Sequence, residues 1–181
     1  GDDPFTDQLD DFHGTAVAGI IAASLGEGEV VGVAPDAELA MFRMGFGFEA
    51  TASQTEAALA QMVNVDVANS SWVYSTEAFS DNKTDNRFTA LFEEITTAVQ
   101  HGRKGDDAAE GEFGLGTVLV FAAGNYGQDG DSSNYHSFSS TPETIAVGSV
   151  GQYGSALTST STGSSILVSA PGEAILTTDL S

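Results

Sequence analysis

Two short stretches of this chain carry side chains suited to acyl chemistry. The first is DDFHGTAVAGIIAAS, residues 10–24, in which His13 stands between acids and a run of small apolar residues. An imidazole with a pKa of about 6.5 takes up and returns a proton near neutral pH. The second is FAAGNYG, residues 121–127, where Asn125 follows Ala-Ala-Gly at the end of a β-rich run. Open α/β sheets place their sites at the carboxyl ends of their strands, and an asparagine NH₂ there can donate to a developing oxyanion. Taken singly, each has an ordinary alternative, a structural histidine or a Gly-Asn turn. His101 and His136 lie in no motif that lifts them above that alternative.

The elements needed to hold these groups are legible as an alternation of helical and β-rich segments, which predicts a mainly parallel sheet flanked by helices. A first helix is expected over residues 13–24, capped by Asp10 or Asp11 and ended by Gly26. At a helix start the His13 ring can project into a cleft. Gly14 permits close approach, and Ala16 and Gly19 permit tight packing. ELAMFRM, residues 38–44, reads as a buried strand. SQTEAALAQMV, residues 53–63, reads as a helix with Ser53 and Glu56 spaced as a capping box. VDVANSS (65–71) reads as a strand, residues 74–87 as loop, and RFTALFEEITTAVQHG (87–102) as a helix stopped by Gly102. TVLVFAAGN (117–125) is a strand breaking into a turn, and TIAVGSV (144–150) and SILVSAPG (165–172) are later strands.

In combination the motifs say more. HGTAVAGIIAAS resembles the histidine segment of the subtilisin-like serine proteases, the subtilases, and VLVFAAGNYG resembles their oxyanion-asparagine segment. Between and after them, GVAPDAELAMFRM (32–44), VDVANSSWV (65–73), TPETIAVGSV (141–150) and LVSAPGEAI (167–175) are similar to further family segments, in the family's order. The resemblance implies an α/β, subtilisin-like three-layer fold with a mainly parallel sheet flanked by helices, incomplete at both ends. It implies His13 as general base and then acid for a serine nucleophile, and Asn125 as an oxyanion donor. Ser71, Trp72 and Val73 would pair with substrate backbone as an added strand. Ala122, Ala123 and Gly124 would line the pocket for the side chain before the scissile bond. Trp72 is equally readable as a core or rim aromatic. Val73 departs from the glycine common at its position, which implies a narrower edge.

Two members of the family's triad have no matching motif here. The aspartate belongs on a strand roughly thirty residues before the histidine; Asp2, Asp3, Asp7, Asp10 and Asp11 stand too close to His13. The nucleophile belongs to a Gly-Thr-Ser motif after the segment resembling SAPGEAILTT. Neither the final DLS nor Ser164 and Ser165 match it. Residues 1–181 are therefore expected to be a partial subtilase catalytic domain, inactive alone because the triad acts as a unit. The alternative is a non-catalytic, protein-binding or calcium-stabilised module that kept the fold.

Composition bounds the partners. Lys and Arg number 5 against 26 Asp and Glu, for a formal charge of −21, which would repel nucleic acid and suits cations or basic substrates. Protein or peptide substrates are expected, and acidic steering would favour basic ones. With no cysteine, disulfide and thiolate sites are excluded. No apolar run approaches the roughly 20 residues that span a bilayer, and no signal peptide opens the chain; secretion or surface display is inferred from the family alone. The chemistry needs no cofactor. A structural Ca²⁺ is conceivable at Asp131, which follows Asn125 by the same spacing as a calcium-binding acid of the kexin-like branch. Other acids of that branch are replaced, by Thr76, His136 and Ser161. Asp129, Asp131 and Asn134 could supply oxygen ligands, but Asn134 and Ser140 stand where an EF-hand loop has Gly and Glu. Asn69 and Asn82 match glycosylation acceptors, and Asn69 is discounted because its strand is expected to be buried.

Overall fold

The computed structural model describes residues 12–26, 28–44, 51–75, 77–105, 107–109 and 111–178. The chain divides into a smaller unit, Gly1–Met44 with Ala174–Ser181, and a larger one, Gly45–Glu173.

The smaller unit is built on α1 (His13–Ala22). Asp10 and Asp11, expected as caps, lie outside the described residues, and the N-cap position itself is taken by Phe12, whose ring offers no acceptor. The helix stops short of Ser24 and Gly26 because the chain turns to extended backbone at Ala23. The following segment then satisfies the orphan carbonyls of the last turn. Gly32 N–H donates to Ala23, Val33 N–H to Ile20 and Ala34 N–H to Ile21, at 2.8–3.0 Å. Gly32 is needed there, since a Cβ would meet the Ala22 and Ala23 amides at 2.5 Å. Gly19 is the buried position of the helix, and the Thr177 and Thr178 side chains sit directly over it. Their hydroxyls donate to the carbonyls of Ala16 and Thr15, the latter at 2.9 Å. Gly14 is exposed, with only the Met41 methyl near it at 3.7 Å. Residues 38–44 are not a strand. An apolar run becomes a strand only when a ladder partner exists, and these residues have none among those described; nor are they buried, residues 38–43 being exposed.

The larger unit holds a four-stranded, all-parallel sheet in the order β1 (Val67–Ser70), β2 (Val118–Ala122), β3 (Ile145–Val150) and β4 (Ile166–Pro171). This is the parallel α/β architecture expected from the alternation of segments. Helix α2 (Ala52–Ala60) precedes β1, α3 (Thr89–His101) crosses from β1 to β2, and the short α4 (Ser137–Ser140) precedes β3. The capping box of α2 lies two residues earlier than expected. Thr51 is extended and accepts from the Gln54 amide at 3.2 Å, and Gln54 Oε1 accepts the Thr51 amide at 3.1 Å. Ser53 already lies within the helix and hydrogen-bonds Thr51 instead.

Register places Ala68 beside Leu119, and Ser70 beside Phe121, which in turn pairs with Ala146. These five face one side of the sheet and are buried. On that side lies the core: Leu59, Met62, Phe88, Leu91, Ile95, Ala98 and Phe138 join Ala68, Leu119 and Phe121. Leu91, Ile95 and Ala98 recur at i, i+4 and i+7 on α3, the stripe a helix needs to cover a sheet. Gly102 does close α3, by a different route from a left-handed cap: its backbone is extended. A Cβ there would collide with Thr117, whose hydroxyl donates to Met62 O at 2.8 Å and Val65 O at 2.9 Å. The C-terminus of α3 is thereby drawn onto the start of β2.

Candidate active site

The carboxyl end of β2 sets the geometry. Beyond Ala122 the ladder continues by one bond, from Ala123 N–H to Val147 O at 3.0 Å, and then the chain turns. Gly124 makes the turn with φ of +105°, a region that side chains rarely enter. Ser161 holds it from behind: its amide donates to Gly124 O at 2.9 Å, and its hydroxyl accepts the Tyr126 amide at 3.2 Å. A Cβ on Gly124 would lie 2.6 Å from Ser161 Oγ and 3.4 Å from Asp131 Oδ2. Ala123 and Gly124 are buried, whereas Asn125 between these clamped neighbours is exposed. The turn thus presents one amide side chain to solvent on a fixed backbone.

Residues 71–73 leave the adjacent strand β1 at the same sheet edge, since Ser70 is the last partner of Phe121. Ser71, Trp72 and Val73 are half-buried there, and they continue past the Ser70–Phe121 pair as Ala122 to Asn125 do from the neighbouring strand. The Trp72 ring belongs to the core, packed edge-on against Phe121 and Phe138 with centroids 5.5 and 5.3 Å away. It anchors the segment from below. Asn69 lies on β1 but on its exposed face, where its amide donates to Ser71 Oγ at 2.8 Å; strand membership does not bury it. Next to the Asn125 turn, Ala78, Tyr126, Asp129, Gly130, Asp131 and Tyr135 line a cleft of about 420 Å³. His13 belongs to the smaller unit, where it opens α1 and is exposed. His101 is held at the surface by Glu112 O at 2.9 Å and stacks on Phe113, a structural role.

The buried histidine is His136, which the sequence marked only as a replacement for an acid of the kexin-like branch. His136 is 5% exposed and stands between two carboxylates, with Nε2 2.9 Å from Asp131 Oδ1 and Nδ1 3.5 Å from Asp81 Oδ1. Asp81 is 1% exposed, and its other oxygen accepts the Phe138 amide at 3.0 Å. Asp131 also accepts from Ser161 Oγ at 2.6 Å. Burial pushes the Asp131 carboxyl up, but hydrogen bonds from Ser161 and then His136 outweigh it and hold the group below the usual carboxylate range. The available signals were the spacing of Asp131 from Asn125 and the place of His136 and Ser161 among the replaced acids of the branch; nothing in sequence tied Asp81 to them.

These contacts bear on the calcium expectation at Asp131. Both of its oxygens are engaged, one by an imidazole and one by a hydroxyl. Asn134 Oδ1 is turned to the Ser165 amide at 3.0 Å, Asp129 is exposed, and Thr76 lies outside the described residues. No group of three or more His, Asp or Glu among the described residues is arranged to hold a metal ion. Ca²⁺ takes six to eight oxygen ligands, so the residues around Asp131 do not fit it.

Comparisons with known proteins bear on the family and the fold. The model of the Subtilase family matches residues 1–181. Kexin of Candida albicans is 30% identical over 99% of this chain, and Protease KEX1 of Kluyveromyces lactis is 32% identical over 94%. The chain spans 18% and 22% of the lengths of those two relatives. Among solved structures, the serine protease of Aeromonas sobria superposes with a TM-score of 0.75 at 23% identity, covering 95% of this chain and 30% of that one. No helix among the described residues is long and apolar enough to cross a membrane. A family match running the length of the chain, on a parallel sheet whose second strand ends in a clamped Gly-Asn turn, leads to one conclusion: this chain belongs to the subtilase family.

Proposed function

We propose that this chain forms part of a serine endopeptidase of the kexin-like branch, acting on proteins or peptides. The observation that carries the reading is the Asn125 turn: an exposed amide on a backbone fixed by Ser161, at the carboxyl edge of a parallel sheet and beside the 71–73 segment. In this reading His13 takes the proton of a serine hydroxyl supplied elsewhere in the full-length protein. The serine oxygen attacks the peptide carbonyl, and Asn125 donates to the oxyanion that forms. His13 then returns the proton to the leaving amine, and water hydrolyses the acyl-enzyme in the same sense. Residues 71–73 pair with the substrate backbone, and Ala122, Ala123 and Gly124 flank the side chain before the cut bond. The kexin relatives, the charge of −21 and the cleft of Tyr126, Asp129 and Tyr135 support a preference for basic peptides, met in the secretory pathway or outside the cell.

The test is made in the full-length protein with a peptide library and two variants. Asn125→Ala should lower kcat by about 10²–10³, a range established for subtilisin itself, with KM little changed. His13→Ala should abolish turnover. Unaltered hydrolysis in either variant defeats the assignment of that residue, and a preference for aromatic or aliphatic side chains defeats the basic-substrate reading. The chain alone should show no peptidase activity.

A further inference from the structure

Two carboxylates are buried against one imidazole. Asp81, Asp131 and His136 have side chains 1%, 7% and 6% exposed. His136 Nε2 lies within hydrogen-bond distance of Asp131 Oδ1, at 2.9 Å, and Nδ1 faces Asp81 Oδ1 at 3.5 Å. The ring is thereby wedged between the two acids.

The cluster is also wired to the Asn125 turn. Ser161 Oγ donates to Asp131 Oδ2 at 2.6 Å and accepts the Tyr126 amide at 3.2 Å, while the Ser161 amide holds Gly124 O at 2.9 Å. The Asp131 amide in turn donates to Tyr126 O at 3.1 Å. Gly124 O and the Tyr126 amide are thus both held by Ser161, Tyr126 O is shared by the Asp129 and Asp131 amides, and Asp131 is held by His136.

We propose that His136 is a positioning residue for Asn125: lodged between Asp81 and Asp131, its ring holds Asp131 in place and locks, through Asp131 and Ser161, the turn that carries the amide. The proposal rests on the reading of Asn125 as an oxyanion donor, and the experiment separates the two. In the full-length protein, His136→Leu should lower kcat roughly 10- to 100-fold, the range for misplacing a catalytic group, with KM changed far less. The double variant His136→Leu with Asn125→Ala should be no slower than Asn125→Ala alone, because one acts through the other. Multiplying losses in the double variant, or a normal kcat in His136→Leu, would overturn the positioning role. If Asn125→Ala itself leaves kcat untouched, the donor reading fails, while hydrogen exchange at the Tyr126 amide still decides the locking of the turn: it should be faster in His136→Leu, and an unchanged rate would overturn it.

Discussion

Gly124 offers a quantitative test of how tightly the candidate site is held. Alanine at this position would carry two separate costs. The first is backbone: φ of +105° is sparsely populated by residues with a Cβ, and holding one there costs about 1–3 kcal/mol. The second is contact: the added carbon would lie 2.6 Å from Ser161 Oγ, and Ser161 cannot retreat without loosening its 2.6 Å bond to Asp131. A hydrogen bond to a charged acceptor contributes about 1.5–3 kcal/mol. Together they set the destabilisation of Gly124→Ala at about 2.5–6 kcal/mol. Gly130 supplies the control, since its φ is +80° and nothing lies within 4 Å of where its Cβ would stand. Gly130→Ala should cost only the backbone part, about 1–2 kcal/mol. Urea unfolding followed by the emission of Trp72, the single tryptophan, measures both variants. Equal losses in the two, within about 0.5 kcal/mol, would show that Ser161 does not clamp the turn and would refute the packing argument.

Three further outcomes are expected. Phe138 stacks on Phe92 and Phe121 and touches Trp72, so Phe138→Ala should cost about 3–5 kcal/mol and shift the native Trp72 emission to the red; an unshifted spectrum would contradict the aromatic anchor. Thr51→Ala removes the capping box of α2 and should cost about 1 kcal/mol in the same urea assay, whereas Ser53→Ala should be close to neutral. Because Asp131 is held below its unfolded value of about 3.9, its contribution is present above that pH and is lost as pH falls through the lower folded value. Acid unfolding below about pH 4 should therefore be less steep in Asp131→Asn, and identical acid profiles would count against the lowered carboxyl.

What the sequence disclosed and what it withheld follow from how far apart the interacting residues lie. The strands and α3 were legible because their periodicity is local, and so was the Ala-Ala-Gly-Asn break, since the turn needs a residue tolerant of positive φ at the spot where Gly124 stands. Residues 38–44 misled because a strand is a property of pairs: the apolar run was present and, among the described residues, no ladder partner was. The α2 cap was misplaced because Thr51–Gln54 and Ser53–Glu56 obey the same spacing rule, and only backbone conformation chooses between them. The Asp81–His136–Asp131 cluster was beyond reach because Asp81 and Phe138, whose amide fixes its carboxylate, stand 57 residues apart. Trp72 lent itself to both readings, and its rings of contact assign it to the core.

The threonine pair over α1 has a consequence for the order of events during synthesis. Thr177 and Thr178 reach carbonyls 161 and 163 residues earlier, so the histidine helix waits for its last partners until almost all of the intervening chain has left the ribosome. Contacts this distant form late. A polypeptide built in this order leaves the helix that opens with His13 without two of its hydrogen-bond donors until residues 177 and 178 have emerged.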